Sequence, residues 1–162
     1  MSLPIEKFKE IWFVDFEFQQ SGSSLVNPVC LVAHELKSNK KIKLWRDELK
    51  NLDNPPYSCE ENSLFVSYYA SAELGCNLAL NWKMPQNVIE IYVEFRNITN
   101  GKKLIAGKSL LGALSYFGAD SITDEHKEKM RKLILEQDFW NAQEKADIFD
   151  YCESDVIALK PL

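Results

Sequence analysis

The order in which hydrophobic periodicities follow one another constrains the architecture of this chain most. Residues 11–18 alternate as a strand does, with Ile11, Phe13, Asp15 and Glu17 on one face and Trp12, Val14, Phe16 and Phe18 on the other. Residues 29–36 and 42–46 read as two further strands, and Ser38-Asn39-Lys40 between them suggests a hairpin. A turn is expected at Ser21-Gly22-Ser23-Ser24 and a polar, proline-bearing loop over 51–56. Residues 64–68 have the composition of a short buried strand. A helix is expected over 71–82, with Ala72, Leu74, Leu78 and Leu80 as its apolar contacts, and another strand over 88–93. After a break at Asn100-Gly101-Lys102-Lys103 the pattern turns helical over 109–117, 124–137 and 142–159. Strands first, then strand–helix alternation, then helices imply an α/β protein with a mixed sheet covered by helices.

The last helix is the best specified. Asn141 can cap it and Glu144, three residues on, completes a capping box. Ile148, Phe149, Cys152, Val156 and Leu159 form its apolar stripe.

Composition narrows the classes. The 162 residues fit one domain, and 46% hydrophobic residues can supply a core. No apolar run reaches the roughly 20 residues needed to cross a bilayer, and the first residues lack the segments of a secretory signal. A cytoplasmic protein with no membrane partner is expected. Cys30, Cys59, Cys76 and Cys152 form no CxxC pair and only two histidines exist, which argues against zinc and for free thiols. A net charge of −5 argues against holding duplex DNA by bulk charge. It is compatible with a site that grips phosphates through cations held by carboxylates.

Three short motifs carry chemistry. Asp15 and Glu17 share one strand face about 6.6 Å apart, a spacing suited to a divalent ion held between them. Tyr151 and Asp155, in Tyr151-Cys152-Glu153-Ser154-Asp155, share a helix face about 6 Å apart along the axis. Tyr68-Tyr69-Ala70-Ser71-Ala72-Glu73 sits where a strand ends and a helix begins, and a first-turn glutamate there is also what the helix dipole favours. Taken singly, each motif is commoner as ordinary surface or core-edge structure. Lys102, Lys103 and Lys108 read as a solvated loop, His126 as part of a charged, wet helix, and His34 as structural.

In this order and spacing, Phe13-Val14-Asp15-Phe16-Glu17, the stretch from Tyr68 to Glu73, and Tyr151-Cys152-Glu153-Ser154-Asp155 resemble the three exonuclease motifs of the DEDD superfamily. The final Tyr-x-x-x-Asp is similar to its tyrosine-bearing branch, and the resemblance is closest to the proofreading exonuclease domain of family A DNA polymerases. It covers nearly the whole chain. It implies a ribonuclease-H-like fold, a mixed five-stranded sheet flanked by helices on both sides. It also implies a 3′→5′ exonuclease that releases nucleoside 5′-monophosphates from a single-stranded DNA 3′ end. Two divalent ions, Mg²⁺ or Mn²⁺, would be held by Asp15, Glu17, Asp155 and Glu73, and Tyr151 would orient the attacking water. Two departures stand out: Glu73 replaces the usual Asp, with Tyr69 in place of the Asn four residues earlier, and Phe18 replaces a Thr that contacts the terminal nucleotide. Family A relatives continue into a polymerase domain, so this chain is expected to be a fragment of a longer, covalently linked polymerase. Two other readings share these residues: an RNA-trimming exonuclease similar to ribonuclease D, and a decayed exonuclease kept as a nucleic-acid-binding scaffold.

Overall fold

The structure is a computed structural model that describes residues 5–20, 22, 26–119 and 124–162. Five strands form one mixed sheet: β1 (Glu10–Gln19), β2 (Asn27–Glu35), β3 (Lys41–Trp45), β4 (Ser63–Ser67) and β5 (Val88–Glu90), in the order β3-β2-β1-β4-β5. β1, β2 and β3 pair antiparallel, whereas β4 and β5 run parallel to β1. The hairpin between β2 and β3 turns through Asn39, whose φ of 56° is left-handed, a conformation that asparagine tolerates better than most residues. The turn expected near Gly22 lies outside the described residues except for Gly22 itself, which has a φ of 63°.

Helices cover both faces. One face carries α3 (Ile91–Ile98), α4 (Leu110–Phe117), α5 (Asp124–Glu136) and α6 (Ala142–Ala158). Here Ile11 and Phe13 of β1 pack with Leu114, Met130, Ile134, Ile148, Cys152 and Val156. The opposite face carries α1 (Arg46–Lys50) and α2 (Ala70–Ala79), and Trp12, Val14 and Phe16 pack there with Leu49, Cys76, Tyr57 and Trp82. The period-2 assignment of β1 therefore holds residue by residue as far as Phe16, and Phe18 packs against that second cluster while partly exposed.

Three expectations need correction. Residues 88–93 are not one strand: β5 ends at Glu90 and α3 begins at Ile91, because Ile91 and Phe95 are buried at helical spacing and win over the β-branched local composition. The short helix α1 follows β3 directly, where the expected strand continued to Arg46. In α2 the inward face is formed by Ala70, Glu73, Cys76 and Asn77, while Leu78 is 58% exposed and Ala72, Leu74 and Leu80 are only partly buried. Leucine content misled here, because two inward positions of α2 are polar and make buried hydrogen bonds, Glu73 with Phe16 N and Asn77 with the Tyr57 hydroxyl.

α6 matches its expected start. Asn141 accepts from Glu144 N at 2.9 Å, and Glu144 accepts from Asn141 N at 2.8 Å. Its first half is anchored where Trp45 meets Trp140 and Phe149 edge-on, at ring separations of 5.7 and 5.4 Å. Further along, Glu153 accepts from Lys43 at 2.7 Å and from Lys41 at 3.1 Å, and lies 3.1 Å from His34 Nε2. Desolvation would raise the Glu153 pKa, but the two lysines outweigh it and hold the carboxylate down at about 2. Glu153 is thus a clamp between α6 and the β2–β3 hairpin, and His34 is structural as expected. The clamp fixes which way the next turn of α6 points.

Candidate active site

The fold makes a crevice beyond one strand end. β4 pairs with β1 only from Glu10 to Phe13, and the chain then leaves the sheet for α2. Among the described residues, the rest of β1, from Val14 on, has no strand partner on that side. Its carboxyl half continues to pair with β2, with an irregularity between Glu17 and Phe18 opposite Pro28. A proline without an N–H and a register shift go together, and such bulges re-aim side chains at strand ends.

Asp15 and Glu17 stand on the face that α6 covers. Cys152 of α6 sits directly above them: its thiol lies 3.2 Å from Asp15 Oδ2 and 3.3 Å from the Asp15 carbonyl oxygen. Burial pushes the Cys152 thiol well up, so it is a neutral donor to Asp15. One ligand atom each from Asp15, Glu17 and Cys152 lie within 4.8 Å of one another. Asp155 is three residues beyond Cys152, on the same side of the sheet as Asp15.

Glu73 arrives from the opposite face. It lies in the first turn of α2, is 4% exposed, and accepts from Phe16 N at 2.7 Å. That N–H belongs to the β1 edge that β4 leaves unpaired, so the glutamate satisfies a backbone donor that would otherwise be buried without a partner. The first-turn position had a simpler explanation in the helix dipole, but the side chain reaches across to β1 as well. Glu73→Gln keeps an acceptor for Phe16, and Glu73→Ala does not. Both are neutral, so Gln is expected to be the more stable of the two by about 1–2 kcal/mol. Equal denaturant midpoints for the two variants would show that the contact contributes nothing.

The electrostatics record the crowding. Asp15 is raised to about 8, first by desolvation and then by the charge of Asp155. Glu17 is pushed well up by burial, by Asp15, and further by Cys30, Asp155 and Glu73. Glu73 is likewise pushed well up by burial and by Asp15, against its hydrogen bond from Phe16. Asp155 is raised by burial, with Lys127 pulling the other way. Four carboxylates therefore feel one another in a poorly solvated site.

Lys127 of α5 is a cation at this cluster. Its ammonium donates to both Asp155 oxygens, at 2.8 and 2.9 Å, and lies 5.7 Å from the centre of the Tyr151 ring. α5 is held over the crevice by Gln19, the last residue of β1, which donates to Ile134 O at 2.8 Å and Gln137 O at 2.7 Å. Sequence reading left Lys127 in a charged surface helix and Cys152 in an apolar stripe, and no local signal distinguishes either. Tyr151 precedes Asp155 by one helical turn. Burial, then Glu17 and Asp155, keep its phenol protonated. His126 is exposed, as expected, with its ring centre 6.3 Å from that of Tyr151.

Beside Glu17 and Tyr151 opens a cleft of about 380 Å³, lined also by Phe18, Arg131, Ile134 and Leu135. It has apolar side chains, one guanidinium and the Glu17 carboxylate in its walls. Asp15 and Glu17, with Cys152, are thus brought within ligand reach of one another, and Glu73, Tyr151 and Asp155 lie near enough for charge to act between them and that pair. Lys102, Lys103 and Lys108 are exposed, on a segment of their own.

The donor set is rich in oxygen and contains no histidine. Its mutual repulsion would be relieved by a hard divalent cation, for which carboxylates are the preferred ligands. Soft metals would meet the protonated Cys152 thiol and, behind it, Cys30. No protein-family model matches the chain, and no curated protein matches it significantly.

Proposed function

We propose that this chain is a metal-dependent 3′→5′ exonuclease acting on single-stranded DNA ends, of the tyrosine-bearing DEDD type with a ribonuclease-H-like fold. The observation that carries the reading is that four carboxylates crowd the end of β1: Asp15 and Glu17 offer ligand atoms within 4.8 Å of each other, and the charges of Asp155 and Glu73 act on Glu17, with Tyr151 one turn from Asp155. These four come from the beginning, middle and tail of the chain, and no structural economy requires them to meet. Burying like charges together is costly unless a cation joins them. The mixed sheet, with helices on both faces, agrees with the resemblance that the three motifs carry.

Asp15, Glu17, Asp155 and Glu73 would hold two divalent ions, Mg²⁺ or Mn²⁺. When bound, such ions acidify water and neutralise charge on the phosphate and the leaving oxygen. Lys127 would have to release Asp155 as that carboxylate becomes a ligand. Tyr151, kept protonated by burial, would hydrogen-bond the attacking water and fix its direction without serving as a strong base. Water oxygen bonds to phosphorus, the bond from phosphorus to the 3′ oxygen of the preceding nucleotide breaks, and that oxygen takes up a proton. The products are a nucleoside 5′-monophosphate and a strand shortened by one. The cleft beside Tyr151 has a volume within the range of small-molecule sites. Its apolar wall from Phe18, Ile134 and Leu135 and its guanidinium from Arg131 suit a terminal nucleotide, whose base is flat and whose phosphate is charged.

The test is digestion of matched DNA and RNA strands labelled at either end, with chelator, Mg²⁺ or Mn²⁺. The 5′-labelled DNA is expected to shorten as a ladder only with metal, while the 3′ label is lost at once as a mononucleotide. Metal-independent cleavage, or a ladder from the 3′ label, would refute the assignment. Faster shortening of RNA would shift the substrate to the ribonuclease D type of reading.

A further inference from the structure

Away from the carboxylates, a cavity of about 320 Å³ lies at the end of α3 and the loop beyond it. Arg96, Lys102 and Lys108 line it together with Asn97, Asn100 and the loop backbone at Gly101, and no acidic side chain is among its described lining residues. In a chain of net charge −5, three cations around one cavity without a counter-ion are a local inversion of sign. Lys102 is held in place, with its ammonium 2.8 Å from Tyr116 Oη and 5.5 Å from that ring's centre.

A ladder of aromatic rings runs from this cavity to the start of α2, the helix that carries Glu73. Arg96 lies over the Tyr92 ring at 5.6 Å, and Tyr92 stacks on Tyr69 with centroids 4.5 Å apart and planes 28° from parallel. Tyr69 is 46% exposed and caps α2, one turn before Glu73. Tyr68, at ring distances of 6.4 Å from Tyr69 and 6.1 Å from Tyr92, ties the cavity to the strand end by donating to the Lys108 carbonyl at 2.5 Å. Stacked rings next to cations are what single-stranded nucleic acid uses, bases on the rings and phosphates on the cations.

We propose that the Tyr69–Tyr92 stack and the Arg96–Lys102–Lys108 cavity form a binding track for the portion of a single strand that lies upstream of the 3′ end held at the carboxylates. The track rests on the exonuclease reading for its direction, but its affinity for a strand does not depend on cleavage. It makes the grip length-dependent: a strand too short to pass Tyr69 gains nothing from the cavity.

The experiment measures anisotropy of labelled oligothymidylate in chelator, across a salt series, for wild type, Tyr92→Leu and the triple variant Arg96→Ala/Lys102→Ala/Lys108→Ala. In parallel, hydrolysis of the p-nitrophenyl ester of thymidine 5′-monophosphate in Mn²⁺ probes the carboxylates alone. The triple variant is expected to bind a long strand about tenfold more weakly, and its slope of log affinity against log salt to shrink by about 2, three contacts at about 0.7 each. Tyr92→Leu is expected to weaken the long strand severalfold with an unchanged slope. Ester hydrolysis stays at wild-type rate in all. Wild-type affinity and slope in the triple variant, or no strand binding by the wild type, would overturn the track and leave the nuclease reading to its own assay. Loss of binding in the triple variant of a protein that hydrolyses neither ester nor strand would support the track while removing the nuclease.

Discussion

Asp15→Asn is expected to reduce metal-dependent strand shortening by at least about a thousandfold, an effect of roughly 4 kcal/mol on the barrier. Asp15 neighbours Glu17 on β1, feels the charge of Asp155 on α6, and is the acid that raises Glu17 and Glu73 most after burial. Its loss leaves any cation held from one side only. Asp155→Asn should act similarly, and it also frees the Lys127 ammonium that Asp155 now accepts from at 2.8 Å. Folding is expected to survive both changes, since the core contacts of β1 come from Ile11, Phe13 and the opposite face. The check is turnover of a 5′-labelled strand beside a thermal melt of each variant. Cleavage within tenfold of wild type by folded Asp15→Asn would remove the site assignment.

The second large effect is on stability, and its sign follows from the raised carboxylates. Asp15 has a folded pKa of about 8, against about 3.9 when unfolded. Between those values the folded state holds a proton that the unfolded state has lost. Stability is therefore greatest below the unfolded pKa and falls as pH rises through the folded one. Glu35 and Glu153, both held near pKa 2, work in the opposite direction but only below about pH 4.5. His34, lowered by desolvation, opposes the trend only below about pH 6.5. The clean window is thus pH 6.5 to 8.5. There the metal-free protein is expected to lose about 2 kcal/mol, or roughly 5 °C in melting temperature. Saturating Mn²⁺ should raise the melting temperature at pH 8.5 and remove most of the slope, because bound carboxylates are ionised throughout. Asp15→Asn without metal should melt higher than wild type at pH 8.5. A calorimetric series in which the metal-free protein is flat or gains stability over this window would contradict the crowded-carboxylate picture.

This conflict between stability and site explains the local design. Glu17 and Glu73 add charge where Asp15 and Asp155 already repel, and the chain relieves it with Lys127, the Cys152 thiol and the Phe16 N–H. Each partner is one that a side chain or ion could exchange. A core selected for stability alone would carry apolar residues there.

Several elements were legible in the sequence because they obey one local period. The alternation of β1 placed Asp15 and Glu17 on one face, with Ile11 and Phe13, and that face is the one buried under α6. The capping box of Asn141 and Glu144 marked the start of α6, and four-residue spacing put Tyr151 beside Asp155. Other elements were not legible. The segment after Val88 has strand composition, yet burial of Ile91 and Phe95 against the sheet makes it helical after Glu90. α2 presents Glu73, Cys76 and Asn77 inward, with Leu78 outside, because Glu73 takes the Phe16 N–H that β4 leaves free and Asn77 takes the Tyr57 hydroxyl.

The chain alone thus determined which side chains share a face within β1 and within α6, since that depends only on the repeat of each element along its own axis. Only the tertiary structure decided that the two faces meet, that β4 stops short of β1 so that Glu73 can reach Phe16 from the far side, and that Lys127 closes on Asp155. Those contacts join residues between 28 and 137 positions apart. They are set by strand order and by how far each strand runs, quantities to which no local period is sensitive.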